Sequence, residues 1–289
     1  MSDSSVIDIQ ATLQQTTAIL AAADIDTARL DAELLLAYCL QVDRIHLLAR
    51  PEHLLAPDQF ACFQALVRRR SSREPLAYLI GQRWFYGLEF EITPAVLIPR
   101  PETELLVEKA LSWLDQHRGE ARQVIDVGAG SGAIAVSIAA NTTPDVKILA
   151  SDTSPESLQV AKQNARKHGV ENRITFLLGD LLDPLPGPVH LILSNPPYIA
   201  SDIIPTLMPE VRDYEPKAAL DGGADGLRVI ERLLAQAPVY LSPGGAIFME
   251  IGYDQGQSAS ELTHQFFPTA AIHIHQDLAG LDRLVEIQP

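Results

Sequence analysis

VIDVGAGSGAIAVSIAA (residues 124–140) holds three signals in a row. VIDV is an apolar run suited to a buried strand. Gly128, Gly130 and Gly132 then permit a tight turn and a close approach of the backbone to a ligand. AIAVSIAA reads as a helix, whose N-terminus favours an anionic group. Strand, glycine turn and helix together form the opening unit of a doubly wound α/β sheet. The loop does not name its ligand, because Gly128, Gly130 and Ala133 also satisfy the G-x-G-x-x-A pattern of dinucleotide sites.

Reading outward, KILASD (147–152), ITFLLGD (174–180), VHLILS (189–194) and GGAIFMEI (244–251) read as further strands with helical patterns between them. That alternation predicts a mostly parallel sheet. AAIHIHQD (270–277) and DRLVEIQP (282–289) lie too close together for a crossover helix and should pair antiparallel. A parallel sheet closed by an antiparallel hairpin resembles the S-adenosylmethionine-dependent methyltransferase fold more than a dehydrogenase. His273 and His275 alternate on the hairpin with no cysteine or carboxylate at ligand spacing. They are expected to face solvent, and no metal site is expected.

Up to about residue 80 the pattern is helical. IDIQATLQQTTAILAAA (7–23), DTARLDAELLLAYCL (26–40) and PDQFACFQALVRRR (57–70) are the clearest helices, with a shorter one at DRIHLLAR (43–50). Leu30, Leu34, Ala37 and Tyr38 fall on one helical face, the expected core side. RWFYGLEFEITPAVLIP (83–99) is aromatic and β-branched, with turn signals at Gly87 and Pro94, and reads as a hairpin. Pro101 suits the first turn of the next helix. The expected organisation is a helical docking domain (1–80), a hairpin linker (81–100) and the α/β domain (101–289). Cys39 and Cys62, the only cysteines, sit among helical apolar residues and are expected to be buried core thiols.

The 289 residues are 47% hydrophobic and 20% charged, ordinary for a globular protein. The start, MSDSSVIDIQ, lacks the basic and apolar regions of a signal peptide. No apolar run is long enough to span a bilayer. A cytoplasmic protein is expected. The net charge is −15, most of it in the C-terminal two thirds. Direct nucleic-acid binding, which needs Lys and Arg against phosphate, is not expected. RRRSSR (68–73) is the dense basic cluster, and it suits the last turn of a helix.

Acidic residues mark the carboxyl ends of the predicted strands, where open α/β sheets bind ligands. Asp152, 20 residues after Gly132, can accept from ribose hydroxyls. Asp180 can accept from an adenine amino group, with Leu181 against the ring. Asp126, just before the glycines, can help hold an ammonium. An adenosine with an amino-acid tail meets all of these, which points to S-adenosylmethionine. LSNPPYIA (193–200) ends the fourth strand. Its prolines fix φ and remove two donors, so neither strand nor helix continues. Asn195 can accept from a target N–H through its side-chain oxygen, and the Pro196 carbonyl can accept the second N–H. The Tyr198 ring can stack on a planar amide or base, so the ring is expected to matter more than the hydroxyl. Held rigidly by Pro196 and Pro197, this turn can grip a planar NH₂ group.

NPPY in this position is similar to that of amino-methyltransferases acting on adenine, cytosine or glutamine amides. REPLAYLIGQRWFYGLEFEITPAVLIPRPETELLVE (73–108) and LMPEVRDYEPKAALDGGADGL (207–227) resemble the linker and post-NPPY segments of the peptide chain release factor glutamine methyltransferases. The resemblance spans nearly the whole chain. It implies methyl transfer to the glutamine of the Gly-Gly-Gln motif in class-1 release factors, with S-adenosylhomocysteine as by-product. It implies cofactor contacts at Gly128, Ala129, Gly130, Ser131, Gly132, Asp152, Asp180, Leu181 and Asn195. It implies substrate contacts at Asn195, Pro196, Pro197 and Tyr198, with Asn195, Pro196 and Tyr198 catalytic. IPRPETE (98–104) should border the cofactor site, and residues 207–227 should face the substrate. An adenine-N6 methyltransferase acting on RNA or DNA is the alternative, and the acidic charge weighs against it.

Overall fold

The structure, a computed structural model, describes residues 8–118 and 122–289. The first seven residues, which open the predicted N-terminal domain and its first helix, lie outside that range. The chain forms two compact units: residues 1–81 with 208–214, and residues 82–207 with 215–289.

The first unit is helical: α1 (Ile9–Ala21), α2 (Ala28–Leu40), α3 (Arg44–Ala49), α4 (Pro57–Ser71) and α5 (Leu76–Ile80). Asp8 caps α1 by accepting from the Ala11 amide at 2.7 Å, and Asp43 caps α3 through the His46 amide at 2.8 Å. Ile9, Leu13, Leu20, Leu35, Leu36, Leu47 and Phe63 form the core. The buried face of α2 is not the stripe expected from sequence, because Leu30 and Tyr38 are exposed. Ala28, Ala32, Leu35 and Leu36 face inward instead. With leucines on both sides of α2, two apolar stripes overlap, and the inner one also carries Asp31 and Glu33. Both carboxylates meet arginines: Asp31 meets Arg70, and Glu33 meets Arg29 and Arg44.

Those contacts explain the basic cluster. Arg68, Arg69 and Arg70 do occupy the last turn of α4. Arg70 donates to Asp31 at 2.7 Å and to Glu210 at 3.1 Å, while Arg73 grips both oxygens of Glu210 at 2.7 Å. Glu210 lies on α9 (Pro209–Tyr214), and the Tyr214 hydroxyl donates to the Ser72 carbonyl at 2.8 Å. The stretch 207–227 is therefore divided, its first part belonging to the helical unit. The cysteines also differ from expectation. Cys62 is exposed and Cys39 half-buried, with sulfurs 2.7 Å apart. Helical periodicity placed both near the core but could not separate its edge from its interior.

The second unit opens with β1 (Gln82–Phe85) and β2 (Leu88–Glu91), an antiparallel hairpin turned by Tyr86 and Gly87, both at positive φ. A 3₁₀ turn over Pro101–Thr103 leads into α6 (Glu104–Gln116). Then follow β3 (Arg122–Val127), α7 (Ala133–Ala140), β4 (Val146–Asp152), α8 (Pro155–Lys167), β5 (Ile174–Leu178) and β6 (Val189–Ser194). Two short strands, β7 (Ile199–Ala200) and β8 (Asp221–Gly223), pair parallel. α10 (Arg228–Tyr240), β9 (Leu241–Glu250), α11 (Gly256–Phe266), β10 (Ala271–Gln276) and β11 (Asp282–Gln288) complete it.

Seven strands form one sheet in the order β10-β11-β9-β6-β3-β4-β5. β5, β4, β3, β6 and β9 run parallel; β11 pairs antiparallel with both β9 and β10. The doubly wound sheet with a terminal antiparallel hairpin is thus present. The order reverses between β3 and β6, so NPPY emerges beside the glycine loop. Val127 stands level with Ser194, and Ser194 with Met249, which brings Gly128, Asn195 and Glu250 to one sheet edge. On the hairpin, His273 is exposed but His275 is half-buried and meets Glu286 at 2.6 Å. The expected solvent-facing pair is therefore only half correct, because the neighbouring strand supplies a carboxylate to one histidine.

Candidate active site

Backbone geometry explains the glycines after β3. Gly128, Gly130 and Gly132 all have left-handed φ, at +78°, +54° and +79°. A Cβ at Gly128 would meet no atom within 4 Å, so the space there is open. A Cβ at Gly132 would lie 3.0 Å from that of Ala161, so this glycine lets α7 approach α8. The Gly128 and Ala129 amides donate to the Ser151 carbonyl at 2.9 Å. Asp152 braces the same turn: Oδ2 accepts from the Gly130 amide and Oδ1 from the Ser154 amide, both at 2.9 Å. Each oxygen keeps a second lone pair for a ligand hydroxyl.

Asp126, 1% exposed, sits at the base of the loop. Its Oδ2 accepts from the Ala135 amide at 3.0 Å, while Oδ1 is buried with no partner among the described residues. Burial, with the Asp152 charge adding to it, pushes its carboxyl up to about 7. Ser131 is buried, and its carbonyl accepts from Asn164 Nδ2 at 2.9 Å. Asn164 also exchanges two bonds with the Glu91 backbone, at 2.7 and 3.0 Å, tying β2 to the glycine loop. Nothing in the local pattern of α8 marked Asn164, an amide on an otherwise ordinary buried helix face.

The third corner lies past β5. Asp180 lies two residues beyond β5 and pairs with Arg232 of α10. Leu181 takes a left-handed φ of +47°, and its side chain joins the core cluster with Leu182, Leu185 and Leu233. Its carbonyl accepts from Ser151 Oγ at 2.9 Å, which shapes the corner.

NPPY is held from several sides. Asn195 Nδ2 donates to Thr103 Oγ1 at 3.0 Å, which turns Oδ1 away from Thr103. Pro196 is buried, and a Cβ on Gly222 would fall 2.7 Å from the Pro197 carbonyl. The Tyr198 carbonyl accepts from Gln255 Nε2 at 3.0 Å, and Gly226 packs so closely on it that a Cβ would come within 2.3 Å. The GG-x-x-G of residues 222–226 therefore lies directly on the NPPY backbone. The Tyr198 hydroxyl donates to Glu250 Oε1 at 3.2 Å, and Thr103 Oγ1 donates to Glu250 Oε2 at 2.6 Å. Burial, then Glu250, hold the Tyr198 phenol well above its usual range, so it remains a donor. Thr103 falls in the flagged 98–104 segment, but Glu250 carried no sequence signal. In that segment Arg100 also pairs with buried Glu215 at 2.5 Å.

The described residues contain no cluster of His, Cys, Asp and Glu able to hold a metal ion. None of their helices is long and apolar enough to cross a membrane.

The sheet order, the glycine loop and the NPPY turn define an S-adenosylmethionine-dependent methyltransferase fold. Residues 102–206 match the methyltransferase small domain, and residues 11–81 match the PrmC N-terminal domain. Solved structures at low identity share the fold. A methyltransferase from Pyrococcus furiosus aligns with TM-score 0.51 at 16% identity, over 78% of this chain and 96% of its own. The Thermus thermophilus 16S rRNA N2 G1207 methyltransferase, solved with AdoMet and guanosine, aligns with TM-score 0.51 at 19% identity, over 72% of this chain and 49% of its own. Sequence relatives are closer. The release factor glutamine methyltransferase of Geobacter sulfurreducens is 40% identical over 96% of this chain and 95% of its own. That of Moorella thermoacetica is 44% identical over 91% and 92%. The chain belongs to the release factor glutamine methyltransferase family.

Proposed function

We propose that this protein transfers a methyl group from S-adenosylmethionine to the side-chain amide nitrogen of the glutamine in the Gly-Gly-Gln motif of class-1 release factors. The observation that carries this reading is the Asn195 amide, whose NH₂ is committed to Thr103 so that Oδ1 is left to accept.

The residues around the glycine loop fit the cofactor. Asp126 offers, at the base of the loop, a buried acceptor without a partner among the described residues. Open space lies where a Cβ on Gly128 would stand, and the carboxylate of Asp152 ends the adjacent strand. Gly128 to Gly132 would cradle the amino-acid part, Asp152 would take the ribose hydroxyls, and the Asp180–Leu181 corner would meet the adenine through backbone rather than the Leu181 side chain. S-adenosylmethionine supplies an electrophilic methyl when bound.

The chain's own residues prepare the nucleophile. An amide nitrogen is a poor nucleophile because its lone pair is delocalised. Asn195 Oδ1 accepts one of its N–H bonds and the Pro196 carbonyl accepts the other. The nitrogen is thereby oriented, and orientation carries most of a displacement of this kind. Tyr198 stacks on the amide plane. The excess proton leaves to solvent once the new bond has formed. The helical unit docks the release factor, supplying affinity that a tripeptide cannot. Arg69, Arg70 and Arg73 of its basic cluster are paired with carboxylates, and the net charge is −15, both of which disfavour a nucleic-acid substrate.

The test is intact mass and peptide mapping of a class-1 release factor incubated with the protein and S-adenosylmethionine, with ribosomal RNA and DNA as parallel acceptors. One added methyl on the Gly-Gly-Gln glutamine is expected. Label on nucleic acid alone, weakening steeply with salt, would replace the substrate assignment.

A further inference from the structure

Thr103, Glu250 and the NPPY pair Asn195 and Tyr198 come from three separate places in the chain and form one hydrogen-bonded line. Asn195 Nδ2 donates to Thr103 Oγ1 at 3.0 Å, and Thr103 Oγ1 donates to Glu250 Oε2 at 2.6 Å. Tyr198 donates to the other oxygen, Glu250 Oε1, at 3.2 Å. Glu250 is 2% exposed, and its neighbour on β11, Leu284, is apolar.

The direction of this line follows from chemistry. A carboxylate only accepts. The Thr103 proton must therefore point at Glu250, which leaves Thr103 Oγ1 with lone pairs alone for Asn195. Only the NH₂ end of the Asn195 amide can face lone pairs. Its carbonyl oxygen is then turned toward the methyl acceptor. If the amide rotated by half a turn, two NH₂ groups would confront each other in the site and no bond would form.

We propose that Glu250, acting through Thr103, is the positioning residue that fixes the orientation of the Asn195 amide, and that the same carboxylate anchors the Tyr198 ring. The inference rests on the reading that Asn195 holds the acceptor amide. Glu250 touches neither substrate nor cofactor in this scheme. Its protonation reverses the line: a neutral carboxyl donates to Thr103, whose hydroxyl then donates toward Asn195 and favours the wrong amide orientation. Burial, the largest influence, pushes the Glu250 carboxyl up to about 7. Thr103 and Tyr198 favour the ionised form through their hydroxyls and Arg283 through its charge, while the charge of Glu102 opposes it. Arg100 and Arg283 act on Tyr198 in the same sense as each other, each favouring its ionised form. Turnover is therefore expected to rise with pH through about 7.

The experiment compares Glu250→Gln, Thr103→Val and Thr103→Ser with the wild-type protein, using a release factor and S-adenosylmethionine. It measures kcat, both KM values, the pH profile of kcat and calorimetric binding of S-adenosylmethionine. Glu250→Gln and Thr103→Val are expected to lower kcat by roughly tenfold to a hundredfold, as misorientation does. The KM for S-adenosylmethionine and its binding should change little, and the rise of kcat near neutral pH should vanish in Glu250→Gln. Thr103→Ser keeps the hydroxyl and should stay within about threefold of wild type with the rise intact. Unchanged kcat in Thr103→Val and Glu250→Gln, with Asn195→Ala still inactive, would overturn the proposal and leave the function standing. Equal loss in Thr103→Ser and Thr103→Val would also overturn it, because the hydroxyl would not be the operative group. Should Thr103→Val fail to fold, a neutral-pH rise that persists in Glu250→Gln would overturn it by itself. Wild-type protein that methylates no glutamine would instead overturn the function.

Discussion

In the helical unit Arg70 is 5% exposed and lies between Asp31 and Glu210, with Arg73 closing on Glu210 from the other side. In the sheet unit Asp126 and Glu250 are 1% and 2% exposed, and among the described residues neither makes an ion pair. Their partners are a backbone amide and two hydroxyls. Both regions bury charge, but only the first neutralises it. Burial acts on Glu210 as it acts on the others, yet the bonds from Arg73 and Arg70 outweigh it and hold the carboxyl below its ordinary value. With no such cation in contact, burial prevails at Asp126 and Glu250 and brings both to about 7. One arrangement fastens a helix, α9, to its unit. The other leaves two groups able to change charge near neutrality, beside the glycine loop and the NPPY turn.

The strongest challenge to this contrast is to remove the cation. Arg70→Met leaves Asp31 buried without its main partner. Breaking one side of a buried pair costs about 3–5 kcal/mol. Denaturant unfolding followed by amide exchange in α2 and α4 should show a loss of that size in the helical unit. A loss under about 1 kcal/mol would mean that the cluster is hydrated and not truly buried.

A second challenge is pH. For Asp126 and Glu250 the folded carboxyl titrates above the unfolded one. Between the ordinary values of 3.8 and 4.5 and about 7, the unfolded chain therefore sheds protons that the folded one keeps. Stability of the sheet unit should fall as pH rises across that window, by on the order of 3 kcal/mol for each group. For Glu210 and Glu33 the folded carboxyl lies below 4.5, so their contribution is present above that value and lost as pH falls below it. Amide exchange should thus show β3 and β9 weakening from pH 5 to 7 while α2 and α4 hold steady. Parallel slopes in the two units would erase the distinction.

Why the comparison was half visible in sequence is a matter of distance along the chain. The glycine loop, the NPPY turn and the alternation of strands and helices are local, and local patterns carry their own geometry. RRRSSR was legible as a helix end, but its partner Glu210 lies 140 residues from Arg70. Thr103 and Glu250 are 147 residues apart, and no spacing rule joins them. Asp180 was legible as a residue near a strand end, yet the arginine that claims it comes from α10. The cysteines and the outward leucines of α2 failed for a different reason: a helix that is apolar on two sides has no single inward stripe to read.

Smaller effects sharpen the same contrast. Tyr198→Phe removes one hydroxyl from Glu250 and keeps the ring. Losing a donor to a buried carboxylate costs about 1–2 kcal/mol, which moves its pKa upward by about one unit. The pH at which kcat rises should move up accordingly, a shift that ring stacking alone would not produce. Tyr198→Ala should lose far more activity, because it removes the ring as well.

The smallest expected effect is at Arg69, next in sequence to Arg70. Arg69 grips Glu74 with two bonds, at 2.6 and 2.8 Å, a geometry as good as that of the buried pairs. Its side chain is 52% exposed, however, against 7% for Arg70. Water reaches the Arg69 end of the pair and screens it, although Glu74 itself is 16% exposed. Arg69→Ala should therefore cost no more than about 1 kcal/mol in denaturant unfolding. Two adjacent arginines with similar bond lengths would then differ severalfold in cost, which isolates burial as the variable. Should Arg69→Ala prove as damaging as Arg70→Met, bond geometry rather than burial would govern both, and the same correction would apply to Asp126 and Glu250, whose charge states are assigned from burial first.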